Sequence, residues 1–298
     1  MVGAKQSRLA QLAIHLFFIG LSVVFIVPLW LIVAISLSDE ADLVVHGYKL
    51  IPMTWDLTAY LYIFDSPMTI VNAYKVTMII SFVGTLLSVL MTSMCAYALS
   101  RADFKYKRFI TFYLFFTMLF SGGLVPYYML MTRYLHLQDT YAALIIPLLG
   151  PIFYIFLMRT FFQQLPESLV ESAKIDGAGE LRIYFTLIFP LSKPVFATVG
   201  LLQLLAYWNS WDSALLFINK HELYPLQYLL QVMIRNIQEI LANMQNSMAI
   251  TDLAQVGKLP TESMRMAMCV LAIGPMLFVF PFFQKYFAKG LTVGAVKG

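Results

Sequence analysis

The chain has 298 residues, of which 60% are hydrophobic and 12% are charged, and its mean hydropathy is +0.76. A water-soluble globular protein needs a larger charged surface, so this composition excludes that class and predicts an integral membrane protein. The net charge of +4 is modest and fits Lys and Arg residues gathered on one membrane face. Cys95 and Cys269 lie inside apolar runs, which indicates neither a disulfide framework nor a metal site.

Six apolar segments are long enough to cross a bilayer, whose hydrocarbon core of about 30 Å needs roughly 20 helical residues. Helices are required because lipid offers no hydrogen-bond partners to an open backbone. The first segment is too long for the apolar part of a signal peptide, so we interpret it as an uncleaved span. The sequence thus predicts an all-α membrane protein with a single transmembrane domain over residues 1–298. Its expected spans are residues 15–37, 71–99, 109–132, 141–160, 195–217 and 266–287.

Lys and Arg are distributed unequally between the two sides of these spans. With the N-terminus inside, 13 of them fall on the inner side and seven on the outer side. Since positive residues collect in the cytoplasm, both termini are placed there, including a tail at 288–298. Two outer segments remain: an acidic stretch at 38–70, and a long excursion at 218–264 that contains an amphipathic helix.

A polar segment at 166–194 interrupts the apolar pattern between the fourth and fifth spans. Pro166 suits a helix start, and Gly177 and Gly179 allow a sharp turn. A second short helix is expected to follow and to end at two prolines, giving a bent pair of helices on the inner membrane surface. The apolar face of that second helix is expected to contain Leu181, Tyr184, Phe185 and Ile188.

This segment, "ESAKIDGAGELRIYFTLIFPLSKP", resembles the EAA loop of ABC importer permeases. The matching positions are Glu171, Ala173, Asp176, Gly177, Ala178, Phe185, Ile188, Pro190 and Pro194. Ser172 replaces the usual alanine, which is a change between two small residues. In the family this loop supplies the coupling helices that dock on a separate ATPase subunit. The resemblance therefore implies ATPase-coupling roles for Glu171, Ser172, Ala173, Asp176, Gly177, Ala178, Phe185 and Pro190.

Other stretches resemble the carbohydrate-uptake, maltose-type branch of these permeases. They are "AYALSRADFKYKR", "YWNSWDSALLF" and "QKYFAKGLTVGAVKG", while "FSGGLVPYYMLM" is similar to a subgroup associated with oligosaccharide or polysaccharide uptake. The resemblance implies the type I ABC importer permease fold with six transmembrane helices. It also implies a contact of the C-terminal tail with the ATPase, through Gly290, Leu291, Thr292 and Gly294.

The chain contains no G-x-x-x-x-G-K-[ST] motif, so it cannot hold nucleotide phosphates in a P-loop. We therefore expect a transport subunit that is not an enzyme by itself and binds no cofactor, with ATP and Mg used by its partners. The resemblance implies four kinds of partner in a bacterial inner membrane. These are a second homologous permease, two ATP-binding subunits, an extracytoplasmic solute-binding protein and the membrane lipid.

Candidate solute contacts lie in "AYWNSWDSALLF", where Asp212 is the one acidic residue clearly inside a predicted span. Aromatic rings suit the apolar faces of sugars, while amide and carboxylate groups can bond their hydroxyls. The predicted pathway residues are Tyr207, Trp208, Asn209, Trp211 and Asp212, together with Tyr154 of the fourth span, which like Tyr127 and Tyr128 is a weaker candidate. The alternative interpretation is structural: Tyr and Trp anchor spans at the membrane interface, and Asn can pair helices.

Three other functions are alternatives for such a chain. A secondary transporter would need internal repeats and midplane carboxylates, and Asp212 is the sole candidate. A membrane-embedded enzyme would need a catalytic cluster, and none is evident among the spans. An ABC permease for a non-sugar solute is the remaining alternative. Within the carbohydrates, the sequence leaves neutral oligosaccharides and acidic polysaccharides such as alginate or pectin fragments open.

Overall fold

The computed structural model describes residues 8–246 and 261–295, and over these residues it is helical and has no β-strand. The α-helices are α1 (Arg8–Ser36), α2 (Glu40–His46), α3 (Thr58–Ile63), α4 (Pro67–Ser100), α5 (Lys107–Leu119), α6 (Leu124–Met129), α7 (Tyr141–Ile145), α8 (Ile152–Phe162), α9 (Glu167–Ile175), α10 (Glu180–Ile183), α11 (Phe189–Leu191), α12 (Lys193–Trp208), α13 (Asp212–Phe217), α14 (Leu226–Asn246) and α15 (Glu262–Ala295). Two π-helical turns, Leu130–Tyr134 and Tyr184–Ile188, lie between them. The predicted all-α class is confirmed.

Within the described part of the chain, three helices are each long and apolar enough to cross a membrane, at Gln11–Ser36, Pro67–Ser100 and Glu262–Val279. They correspond to the first, second and sixth predicted spans. The last helix runs on to Ala295, so the predicted tail at 288–298 is helical in its described part. No proline follows Pro281, and a glycine inside a helix costs only about 1 kcal/mol, so nothing in the sequence stops the helix earlier.

The third and fourth predicted spans are present as broken helices. Lys107–Leu119 and Leu124–Tyr134 meet at an angle of 112°, and Tyr141–Leu148 and Ile152–Phe162 meet at 51°. Both breaks contain a glycine with positive φ, Gly123 at 90° and Gly150 at 65°. Hydropathy measures the length of an apolar segment and not its backbone path, so the breaks were not predicted.

The fifth predicted span, 195–217, is also divided. Helix α12 ends at Trp208 and α13 begins at Asp212, with three non-helical residues between them. At its other end α12 continues from Glu180–Leu191 through a bend of 85°. With each bent pair counted as one span, the described residues contain up to six spans.

The chain divides into two compact units, and the first lies within residues 1–67 and 230–274. Its central contact is the buried carboxylate of Glu40 at the start of α15. Glu40 accepts hydrogen bonds from Thr261 Oγ1 at 2.7 Å, Glu262 N at 2.9 Å, and Ser263 N and Oγ at 3.0 and 2.8 Å. Burial raises the pKa of this carboxyl, but the four hydrogen bonds outweigh burial and hold the pKa below its ordinary value. The carboxylate thus satisfies amides that the helix itself cannot pair.

The second unit lies within residues 68–229 and 275–298, and buried polar contacts join its helices. Gln203 of α12 donates from Nε2 to Ser88 Oγ of α4 at 2.6 Å. The Tyr207 hydroxyl donates to the Ile145 carbonyl oxygen at 2.8 Å. The ring of Tyr207 lies against Gly84, where a Cβ atom would come within 2.5 Å of the ring. A small residue on α4 therefore permits the close approach of α12, as is common between membrane helices.

Candidate functional site

The predicted coupling element at 166–194, called the coupling segment below, begins with α9, which ends in a tight left-handed turn. Gly177 has φ of +77°, and its N–H donates to the Lys174 carbonyl oxygen at 3.0 Å. The N–H of Ala178 donates to the Ala173 carbonyl oxygen at 2.9 Å. This pair of bonds is the Schellman arrangement that ends a helix at glycine. Gly179 has φ of −72°, so only the first of the two predicted hinge glycines has the left-handed conformation.

The second half of the segment presents a different face from the predicted one. Ile183, Tyr184 and Ile188 are buried, whereas Leu181 and Phe185 are 63% and 52% exposed. The predicted face was therefore wrong for Leu181 and Phe185. A π-helical turn begins at Tyr184 and places more residues in each turn than the 3.6 that the prediction assumed.

The buried side of the segment belongs to one hydrophobic cluster that also contains residues of α4, α8 and α12. Val170 enters this cluster from α9, and the Tyr184 hydroxyl forms a hydrogen bond of 2.5 Å with Ser93 Oγ of α4. Ala173 and Ala178 are half-buried against the same cluster. Their small side chains thus allow close packing of the segment within this chain.

A charged network fixes the turn from the outside. Lys174 Nζ lies 2.7 Å from Asp103 Oδ2 and 2.8 Å from Glu180 Oε1, and the Tyr97 hydroxyl donates to Glu180 Oε2 at 2.6 Å. The hydrogen bond from Lys174 lowers the pKa of Asp103, and the hydrogen bonds to Asp103 and Glu180 raise the pKa of Lys174. Burial raises the pKa of Glu180, but its bonds to Lys174 and Tyr97 bring it below the ordinary value. One lysine therefore joins α9, α10 and the loop after α4.

The other predicted coupling residues form an open surface. Glu171, Ser172 and Asp176 are all exposed on α9 and its C-terminal end. Beside them Ile175 is 86% exposed, the most exposed large hydrophobic side chain among the described residues. The sequence analysis missed Ile175; its signal was a large apolar residue immediately before the Asp-Gly turn. An apolar side chain displayed in this way is typical of a protein contact.

The remaining predicted coupling residues are the prolines at the end of the segment and four residues of the C-terminal tail. Pro190 lies in α11 and is exposed, and Pro194 lies in the first turn of α12, where a missing N–H costs nothing. The backbone of α15 includes the predicted tail residues. The structure does not describe the side chains of Leu291 and Thr292 or the surroundings of Gly290 and Gly294.

The predicted solute contacts divide into buried and open residues. Tyr207 and Trp208 are buried, and Tyr154 is half-buried against the hydrophobic cluster under the coupling segment. Trp211 and Asp212 are exposed. Because α12 ends at Trp208 and α13 begins at Asp212, these two groups of residues do not share one continuous helical face.

The break between α12 and α13 is held by short-range bonds. Asn209 is exposed, and its Nδ2 donates to the Leu205 carbonyl oxygen at 2.8 Å. Ser210 Oγ lies 3.3 Å from Asp212 Oδ1. The exposed groups at this break are therefore the Trp211 ring and the Asp212 carboxylate, which together offer an apolar surface and a hydrogen-bond acceptor.

Asp139 was not identified from the sequence, yet it fixes the end of α13. Its Oδ1 accepts from Asn219 N at 2.6 Å and Lys220 N at 3.0 Å, and these bonds lower the pKa of the carboxyl. The weaker candidates Tyr127 and Tyr128 both contact Phe217 of α13, with ring centroids 5.6 and 6.0 Å away.

In the described residues, no group of three or more His, Cys, Asp or Glu is arranged to hold a metal ion.

Residues 2–293 match the family described as "Binding-protein-dependent transport system inner membrane component". The chain belongs to this family. It is therefore an inner-membrane permease component of an ABC importer, the class of transporter in which separate subunits hydrolyse ATP. The three-dimensional comparison supports the type I permease fold: a bacterial ABC transporter involved in the import of the acidic polysaccharide alginate matches with a TM-score of 0.77 and 27% identity, covering 96% of this chain and 99% of that one.

Three relatives from Bacillus subtilis (strain 168) match over almost their whole length. The polygalacturonan/rhamnogalacturonan transport system permease protein YtcP is 36% identical, covering 98% of this chain and 100% of the relative. Protein LplC is 37% identical, covering 100% of this chain and 98% of the relative. The arabinooligosaccharides transport system permease protein AraQ of the same strain is 28% identical over 99% of both chains.

Proposed function

We propose that this chain forms half of the translocation path of an importer for acidic oligosaccharide or polysaccharide fragments. The observation that carries this proposal is the similarity over the full chain to a permease named for polygalacturonan and rhamnogalacturonan and to a transporter of alginate. All three of those polymers contain uronic acids. The arabinooligosaccharide permease AraQ is less similar, at 28% identity.

The complex that we propose has a second, homologous permease, two ATPase subunits and an extracytoplasmic solute-binding protein. The described residues contain at most six spans, which are too few to enclose a path for a sugar polymer, and this supports a second permease. The Lys and Arg distribution supports six spans with both termini in the cytoplasm. Transport then follows alternating access, in which ATP binding closes the ATPase pair and moves the helices around the solute.

The coupling segment is the element that we expect to dock on an ATPase subunit. Its open surface carries the carboxylates of Glu171 and Asp176 and the apolar side chain of Ile175. Its opposite side is packed against α4, α8 and α12 and tied by Lys174. A segment held in this way transmits a displacement to the helices with little loss, because packed interiors deform little.

A transport assay tests the proposed solute class. The complex would be reconstituted in liposomes with its binding protein, and uptake of oligogalacturonate would be compared with uptake of a neutral arabino-oligosaccharide of equal length. We expect a preference of roughly tenfold or more for the acidic sugar, which corresponds to about 1.4 kcal/mol. Equal uptake, or a preference for the neutral sugar, would contradict the proposal.

The pathway is tested at Trp211, the exposed aromatic residue of the broken segment. We expect Trp211→Ala to lower uptake while basal ATP hydrolysis continues, because stacking on the sugar is lost. Trp211→Phe keeps an aromatic face and should retain most of the uptake. If both variants transport like the wild type, Trp211 serves packing and the solute passes elsewhere.

A further inference from the structure

A groove of about 730 Å³ lies between the start of α5 and the C-terminal half of α8, within the second unit. Three cationic side chains, Lys107, Arg108 and Arg159, line it. Phe112 and Phe115 line it along α5. The groove thus combines a basic end with an aromatic side, and the coupling segment contributes no residue to it.

The cations of this groove have no charged partner among the described side chains, since none of the ion pairs there includes Lys107, Arg108 or Arg159. Arg159 uses Nη1 for a weak hydrogen bond to Thr111 Oγ1 at 3.4 Å. Its Nε is buried and has no hydrogen-bond partner. A buried donor without an acceptor is costly, and a guanidinium has five N–H groups to offer, so this arginine is poised for an anion.

The start of α5 increases the positive potential in the same place. Lys107 and Arg108 form the first turn, which contains no acidic residue, and Tyr106 at the N-cap provides no side-chain hydrogen bond. The positive end of a helix dipole usually lies beside acidic residues, so two cations there are unfavourable until an anion binds. The amides of this turn that the helix leaves unpaired are further donors for such an anion.

The aromatic side of the groove indicates what kind of anion fits. Phe112 and Phe115 are 67% and 50% exposed, and they lie on a helix that belongs to a broken membrane span. A soluble anion would leave these rings uncovered, whereas a lipid covers them with its acyl chain while its phosphate meets the cations. Basic pockets between membrane helices on the cytoplasmic side suit anionic head groups.

We propose that this groove is a binding site for an anionic phospholipid, with Arg159, Lys107 and Arg108 around the phosphate and an acyl chain along Phe112 and Phe115. On the proposed orientation the lipid belongs to the cytoplasmic leaflet. The site lies at the cytoplasmic end of α8, whose Ile155, Met158 and Phe162 belong to the hydrophobic cluster under the coupling segment. A bound lipid therefore fixes α5 against a helix that supports the coupling segment.

Native mass spectrometry of the purified full complex tests the site. The complex would be incubated with phosphatidylglycerol or with phosphatidylcholine of the same acyl chains, and the retained lipids counted. We expect preferential retention of phosphatidylglycerol by the wild type. Each basic residue near an anionic head group contributes about fivefold, so the triple variant Lys107→Gln, Arg108→Gln, Arg159→Gln should lose most of this preference.

Lys105→Gln is the matched control, because Lys105 lies in the loop just before α5 and does not line the groove. It should retain phosphatidylglycerol like the wild type. Arg159→Lys keeps the charge and should retain an intermediate amount. Equal retention of the two lipids by the wild type would overturn the proposal, as would a triple variant that binds phosphatidylglycerol normally. A triple variant that loses its ATPase subunits but keeps the lipid would show that the cations meet an acidic protein surface instead.

Discussion

Gly177 offers the sharpest test of the coupling segment, because the structure separates conformational strain from steric clash there. Its φ of +77° is left-handed, and a Cβ atom at this position would meet nothing within 4 Å inside the chain. A substitution therefore acts through backbone strain alone, at about 1–2 kcal/mol for an ordinary L-residue and at the upper end for a β-branched one. At 2 kcal/mol, Gly177→Val shifts the turn about 30-fold away from its native conformation.

Loss of this turn would release both Schellman bonds and move Lys174 away from Asp103 and Glu180. We expect Gly177→Val to lower uptake and substrate-stimulated ATP hydrolysis at least about fivefold, while the protein still reaches the membrane. The assay is stimulated ATPase activity in proteoliposomes, normalised to the permease content by immunoblot.

Gly177→Asn is the matched control, since asparagine also adds a branched side chain but tolerates the left-handed conformation. It should retain activity within about twofold of the wild type, since its backbone strain is small. If Val and Asn are equally damaging, the position is limited by contact with a partner and the strain argument is wrong. If neither variant loses activity, Gly177 is not a hinge that transport requires.

Three further perturbations have expected outcomes. Glu40→Gln should lower thermal stability in detergent by about 1–2 kcal/mol, because charged hydrogen bonds at the start of α15 are weakened. Since the pKa of Glu40 is lowered on folding, its contribution is present above the ordinary pKa and is lost as pH falls through the folded value. Gly84→Ala should destabilise by about 1–3 kcal/mol through a clash with Tyr207, measured by thermal unfolding. Lys174→Gln should lower stimulated ATPase activity about fivefold, from two exposed ion pairs of about 0.5 kcal/mol each.

Each of these has its own control. The acid-induced loss of stability should be smaller in Glu40→Gln than in the wild type, and identical pH profiles would refute the role of that carboxylate. Gly200→Ala adds a methyl group where nothing lies within 4 Å and should be tolerated, unlike Gly84→Ala. Lys174→Arg preserves the charge and should keep the stimulated ATPase activity near that of the wild type. If Lys174→Arg is as impaired as Lys174→Gln, the ion pairs of Lys174 do not account for the loss of activity.

The sequence predicted the elements that depend on residue type or on the pattern of neighbouring residues. Gly177 and Gly179 predicted the turn of the coupling segment, since few residues other than glycine adopt positive φ readily, and Gly177 has that conformation. The apolar composition predicted the membrane class, and the amphipathic pattern within 218–264 predicted the helix found at Leu226–Asn246. The long apolar runs likewise predicted α1, α4 and α15.

What the sequence did not predict depends on contacts between distant residues or on small changes of helix type. Ile183 and not Phe185 joins Tyr184 and Ile188 on the buried side, and a π-helical turn runs from Tyr184 to Ile188, whereas periodicity arguments assume a constant 3.6 residues per turn. The network of Lys174, Asp103 and Tyr97 joins positions more than 70 residues apart. Tyr207 was predicted to contact the solute because aromatic rings suit sugars. Its ring is instead buried against Gly84, a contact that depends on the packing of α12 against α4.

The interruption of the fifth apolar segment at Asn209–Trp211 constrains what surrounds it. A hydrocarbon tail can accept no hydrogen bond, so carbonyl and amide groups released from a helix at membrane depth must meet water or polypeptide. The released backbone groups of these three residues therefore cannot face the fatty-acid chains of the lipid. In the assembled transporter, this part of the chain must be oriented toward an aqueous passage or a neighbouring subunit.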